Sequence, residues 1–174
     1  APADGPQLAA AIRATVAHPQ PIYFRIGRGQ EPFVYAEDTP FTLGKAIVHH
    51  EGNALNLIVC GTMLHPARAA VEAMRAAGLS VGLIDMPTVK PIDRDAILTA
   101  AARSRLLLTV EEHNVLGGLG GAVAEVLADA GTPARLMRHG IADEYSLIAP
   151  PTHLYRHYRL DAAGIEAVAR ELIR

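Results

Sequence analysis

From about residue 41 onward, apolar residues along this chain come in two alternating rhythms. Short β-branched or leucine-rich runs read as buried strands, and longer stretches with a three-to-four-residue period read as amphipathic helices. The runs predict strands over residues 45–50, 56–60, 81–85, 105–110 and 134–138. Between them the period predicts helices over 67–77, 93–103 and about 118–130, and a closing helix over 161–173 that is apolar at Ile165, Val168, Leu172 and Ile173. Pro66 suits a first helical turn, Gly78 and Gly131 suit helix stops, and Asp93 suits an N-cap. Alternating strands and helices predict an α/β fold, a three-layer sandwich with a mostly parallel sheet covered on both faces. Residues 45–50 and 56–60 meet through Glu51-Gly52-Asn53, which reads as a hairpin adding one antiparallel edge strand.

Residues 1–40 follow neither rhythm for long. A helical composition over 7–17 is stopped by His18-Pro19-Gln20-Pro21, and residues 21–28 read as one short strand. One helix and one strand cannot bury both their apolar faces. They either dock on the main domain or form the tail of a domain that lies mostly elsewhere. Residues 29–40 carry two prolines and no sustained period, and read as a linker.

At 174 residues, half of them apolar and a fifth charged, the chain suits one α/β domain plus an extension. A net charge of −2 gives no reason to expect nucleic acid or an anionic membrane as partner. No basic leader, signal-like apolar stretch or spanning-length run is present in these residues, so a soluble cytoplasmic protein is expected. The single cysteine, Cys60, sits in an apolar run and reads as a small core residue in a reducing compartment.

Candidate chemistry gathers where the run ending at Val110 meets Glu111-Glu112-His113 and then Gly117-Gly118-Leu119-Gly120-Gly121. This reads as a buried strand reaching a polar edge, followed by a tight turn and a helix start, the edge at which ligands bind in open α/β sheets. The glycines do not make a nucleotide site. Val123 stands where the dinucleotide fingerprint needs glycine or alanine, the acidic pair would repel a pyrophosphate, and no phosphate-loop Lys-Ser/Thr follows. Close packing of a helix against the sheet or a neighbouring chain accounts for them. Glu111, Glu112 and His113 could do acid–base work, but no partner nucleophile is visible, so they are expected to form a polar network at a subunit contact. No catalytic residue is assigned. His49 and His50 point to opposite strand faces, and His153 and His157 share a helical spacing without the companions a metal site needs. Arg25 and Arg28 flank Ile26-Gly27 near the end of the first strand, where a guanidinium fork matches phosphate or carboxylate.

The order of these motifs resembles the C-terminal part of the transketolase family of thiamine-diphosphate enzymes. Four stretches carry the likeness: Pro21-Ile-Tyr-Phe-Arg-Ile-Gly-Arg-Gly29, Gly61-Thr-Met-Leu-His-Pro66, Asp85-Met-Pro-Thr-Val-Lys-Pro-Ile-Asp93 and Val110 through Glu125. Tyr158-Arg-Leu-Asp-Ala-Ala-Gly-Ile165 matches the family's entry to its closing helix.

The resemblance implies that residues 1–40 are the tail of a pyrimidine-binding domain plus linker, and that 41–174 are the complete C-terminal domain. It implies a dimer working with remaining transketolase domains or an N-terminal subunit, on a phosphorylated sugar. Thiamine diphosphate and Mg would be held by the full enzyme and not by these residues, which contain no metal-diphosphate motif. Arg28 matches the family's substrate-phosphate arginine, and Arg25 fits that place less well. The flanking residues Ile26-Gly27-Arg28-Gly29 look closer to two-subunit transketolases and 1-deoxyxylulose-5-phosphate synthases than to long single-chain enzymes. The expectation is the C-terminal portion of a split transketolase, inactive alone, whose parent enzyme transfers a two-carbon ketol unit. Alternatives are a fragment of such a synthase, the beta chain of a 2-oxo-acid dehydrogenase, or a non-catalytic assembly module.

Overall fold

The computed structural model describes residues 1–28 and 32–174. Gly29, which closes the first matched stretch, and residues 30–31 of the expected linker lie outside the described residues. Helix α1 (Gly5–Thr15) opens on Asp4, whose carboxylate accepts from the Gln7 amide at 2.9 Å. Then come β1 (Ile47–His50), β2 (Leu55–Val59), a 3₁₀ turn (Gly61–Met63), α2 (Leu64–Ala76), β3 (Val81–Asp85), α3 (Arg94–Ser104) and β4 (Leu106–Asn114). The remaining elements are α4 (Leu119–Asp129), β5 (Arg135–Ile141), α5 (Pro151–His157) and α6 (Ala162–Ile173).

Five strands form one sheet in the order β1-β3-β2-β4-β5, parallel throughout except that β1 runs antiparallel to β3. Alternate residues feed two cores, because successive strand side chains point to opposite faces. Leu57, Val59, Leu83, Leu108 and Val110 pack with α2 and α6, while Ile58, Cys60, Ile84 and Leu107 pack with α3 and α4. This is the expected three-layer α/β sandwich with one antiparallel edge strand.

The expected hairpin does not form. β1 and β2 are adjacent in sequence, but β3 lies between them. Every residue of β2 is buried, so β2 takes a central place with a strand on each side. β1, with Val48 51% exposed and two histidines, can tolerate an edge. The 51–54 connection therefore passes across β3 and is held by the buried Asn56 side chain. That amide accepts from the Gly52 nitrogen at 3.0 Å and donates to the Gly52 oxygen at 2.9 Å, to Ala100 at 3.3 Å and to Ser104 at 3.0 Å.

Residues 21–28 also depart from expectation. The backbone over 21–27 is not paired in any strand ladder, and Tyr23 (86%) and Ile26 are exposed. α5 matches no expected element, because none of its residues is buried and no apolar period marks it in the sequence. Strand β4 runs four residues past its expected end at Val110, which places Glu111, Glu112 and His113 in the strand itself. No described helix is long and apolar enough to cross a membrane.

Candidate functional site

β2 leads to β3 on one side, while β4 lies on its other side, so the carboxyl ends of β2 and β4 flank the point where strand order reverses. Such a switch point opens a crevice. Here it opens a cleft of about 750 Å³, walled by Cys60, His113 and Gly118 from the sheet edge, Thr88 beyond β3, and Tyr23 and Arg25 from the unpaired segment 21–27. Arg25 reaches in far enough for its Nη2 to lie 3.5 Å from Cys60 Sγ. Gly61 makes room for it: its φ of +60° suits glycine, and a Cβ there would lie 3.0 Å from that same nitrogen. Burial pushes the Cys60 thiol up to about 11, although Arg25 opposes the shift. A nucleophilic cysteine needs the opposite shift, so Cys60 is a core residue.

Glu111 and Glu112 occupy opposite faces of β4 and do separate jobs. The fully buried Glu111 carboxylate accepts from the amides of Leu119 (Oε2, 2.6 Å) and Gly120 (Oε1, 3.0 Å). Both are free donors at the start of α4, where the helix dipole also favours a negative charge. His113, two residues along, sets its Nε2 3.5 Å from Glu111 Oε2 while its Nδ1 lies 2.9 Å from the Asn114 oxygen. A Cβ on Gly118 would overlap both Glu111 Oε2 and His113 Cε1, and one on Gly120 would lie 2.7 Å from Arg138 Cγ. The glycines thus admit a carboxylate and an imidazole beneath the helix start. Glu112 accepts from the hydroxyls of Thr62 and Tyr155 on the other face. Thr62 and Tyr155 carry no signal in the sequence, because nothing local to either points at residue 112.

Arg28 is exposed and stands outside the cleft lining, whereas Arg25 is half-buried within it. His49 reaches the Tyr35 hydroxyl at 2.8 Å, and His50 lines a smaller groove beside α3. His153 and His157 lie exposed on α5. The described residues do not suit thiamine diphosphate. The Leu119 and Gly120 amides at the start of α4 are spent on Glu111, and among the described residues no group of three His, Cys, Asp or Glu side chains is placed to hold the accompanying metal.

Residues 44–165 match the family described as transketolase, C-terminal domain. The chain is 36% identical over 174 residues to an apulose-4-phosphate transketolase subunit of Phocaeicola vulgatus, covering 99% of this chain and 55% of that protein. It is 37% identical over 160 residues to 1-deoxy-D-xylulose-5-phosphate synthase of Cupriavidus necator, covering 89% of this chain and 24% of that one. Among solved structures, a split-gene transketolase described as an inactive beta4 tetramer superposes with a TM-score of 0.92 at 32% identity, over 99% of this chain and 56% of the other. The chain thus spans about half the length of the transketolase-subunit relatives it matches.

Proposed function

The chain belongs to the transketolase family and carries its C-terminal domain, and from this premise we propose that it is part of the C-terminal subunit of a split transketolase. In this reading residues 41–174 are that domain and residues 1–40 are the tail of a neighbouring pyrimidine-binding domain with its linker. The observation that carries it is segment 21–27. Its backbone has no ladder partner among the described residues, and Tyr23, Ile26 and the Ile12 and Val16 side chains at and just past α1 stay exposed. A segment that reads as a strand in the sequence but is unpaired here suits a sheet completed by residues of another domain.

The parent enzyme would transfer a two-carbon ketol unit between sugar phosphates, as a dimer that also engages an N-terminal subunit. Thiamine diphosphate, with Mg, would supply the carbanion chemistry from sites outside these residues. Arg28, exposed just past that segment, is free to offer its guanidinium fork to a substrate phosphate. Glu111, with His113 beside it, serves by holding α4 to the strand end, and Glu112 joins Thr62 and Tyr155 on the other face. In this reading both groups lie near a contact with another chain. A 1-deoxyxylulose-5-phosphate synthase is the second reading, favoured by the 37% identity to one.

Two measurements test this reading. The intact mass of the native polypeptide and its co-purifying chains separates the alternatives. A polypeptide of which this chain is about half, bound to a second kind of chain, supports the split transketolase. One of which it is about a quarter supports the synthase, and a free chain of 18.5 kDa would leave an assembly module. In the full enzyme, Arg28→Ala should raise the KM for phosphorylated substrates by about 10–100-fold, the worth of one charge-assisted hydrogen-bonding group, and spare unphosphorylated ones. Equal effects on both would remove Arg28 from the phosphate site.

A further inference from the structure

Asp85 ends β3 as a fully buried carboxyl group. Its Oδ2 accepts from Gln7 Nε2 at 2.6 Å and from the Tyr35 hydroxyl at 2.8 Å, while its Oδ1 is buried with no hydrogen-bond partner among the described residues. Gln7 is itself oriented by the Ala3 amide, which donates to its Oε1 at 2.6 Å. Tyr35 Oη also lies 2.8 Å from His49 Nε2 on β1. Asp85 therefore binds one residue of α1 and one residue just past the segment that carries Arg28.

We propose that Asp85 is a proton-dependent latch, holding α1 and the Tyr35 segment to the sheet most tightly when its carboxyl is neutral. Both of its direct hydrogen-bond partners are neutral donors, and a buried carboxylate with an unpartnered oxygen and no cation in contact is a costly state. The neutral acid fits this site. A proton on Oδ2 donates to Tyr35 Oη, which then donates to His49 Nε2, while Oδ2 still accepts from Gln7. The charged groups that face the cluster are few. Among the described residues they are Asp4, which accepts from the Val34 and Tyr35 amides, and Arg68 near Tyr35 and His49. Burial pushes the Asp85 carboxyl up to about 6, against the hydrogen bonds from Gln7 and Tyr35, and pushes the Tyr35 hydroxyl up as well. Burial, with Arg68 and His50, pushes His49 down, which favours the neutral imidazole that can accept from Tyr35.

The latched form holds the proton more tightly than the released form, whose carboxyl sits near 3.8. Latching is thus strongest below that value and weakens, by roughly a hundredfold in equilibrium constant, as pH rises towards 6. Because Gln7 and Tyr35 bracket Arg28 in the chain, the latch would also position Arg28, a consequence that rests on the phosphate-binding reading of that residue.

The test is infrared difference spectroscopy of the full native polypeptide, wild type minus Asp85→Asn, with amide hydrogen exchange over α1 measured between pH 4 and 7. A protonated-carboxyl band present near pH 5 and gone by pH 7 is expected, together with α1 protection that falls from pH 4 and levels off above pH 6. Asp85→Asn, which mimics the neutral acid, should keep its protection throughout. Carboxylate bands alone at pH 5, or α1 protection with the same pH dependence in both proteins, would overturn the proposal. Should Asp85→Asn misfold, Tyr35→Phe removes one donor to the carboxylate and should move the band's midpoint to higher pH. An unmoved or lowered midpoint would equally overturn it. Neither readout depends on Arg28, so a failed phosphate assignment leaves this test intact.

Discussion

A carboxylate at the end of a strand can be a reagent or a clamp, and the hydrogen bonds it accepts decide which. Glu111 spends both oxygens on the amides of Leu119 and Gly120, so neither is left to handle a substrate proton. Glu111→Gln should make the distinction measurable. A glutamine keeps one acceptor but turns an amide donor towards a buried backbone donor, and it removes a negative charge from a helix N-terminus. A loss of about 1–3 kcal/mol in urea unfolding is expected. Unchanged stability would mean that the contact with α4 does not hold the helix. At this scale the residue types at 111–113 and the glycines at 117–121 are legible in the sequence, but their roles are not. Adjacency suggests one network for Glu111, Glu112 and His113, whereas strand alternation puts Glu112 on the opposite face with Thr62 and Tyr155. Arg25 and Arg28 are separated in the same way, one turned into the cleft and one exposed. Two residues three apart on an extended chain do not reveal their surroundings.

At the scale of elements, periodicity locates every strand of the sheet and the longer helices to within a few residues, because strand and helix periods are set by local backbone geometry. Segments without a strong buried face escape it. The 3₁₀ turn is too short to show a period, and α5 buries none of its residues. Pairing is the main error. A short Gly-Asn connection between two apolar runs favours a hairpin locally, but the fully buried β2 is more stable between β3 and β4 than at an edge. Asn56 sustains that choice by joining β2, the Gly52 connection and the end of α3 through four hydrogen bonds. Asn56→Ala would leave the Gly52 amide and facing carbonyls without partners in a dry site. It should cost about 3 kcal/mol, read by urea unfolding. A loss below about 0.5 kcal/mol would show that strand burial alone sets the order.

At the scale of the whole molecule, the question is how residues 1–40 relate to the remainder. All five strands lie within residues 41–174, so that part holds a complete sheet with two cores. α1 adds the small buried side chains Ala10 and Ala11, together with the polar contacts to Asp85. A chain of residues 41–174 should therefore keep its strand and helix content by circular dichroism and melt several degrees lower. Collapse of that content would make the first forty residues part of the same folding unit, and would count against the domain division proposed above.

Short-range geometry encodes the succession of strands and helices, the α/β class and the cap at Asp93, and the order of motifs along the chain is that of its family. Packing alone sets β3 between β1 and β2, Glu111 at the start of a helix, Arg25 and not Arg28 in the cleft, and Asp85 beneath Gln7 and Tyr35. Period and capping depend on neighbours a few positions away. Strand order, the partner of a carboxylate and its affinity for a proton depend on which distant segments exclude water around it, and that is settled only when the chain has packed.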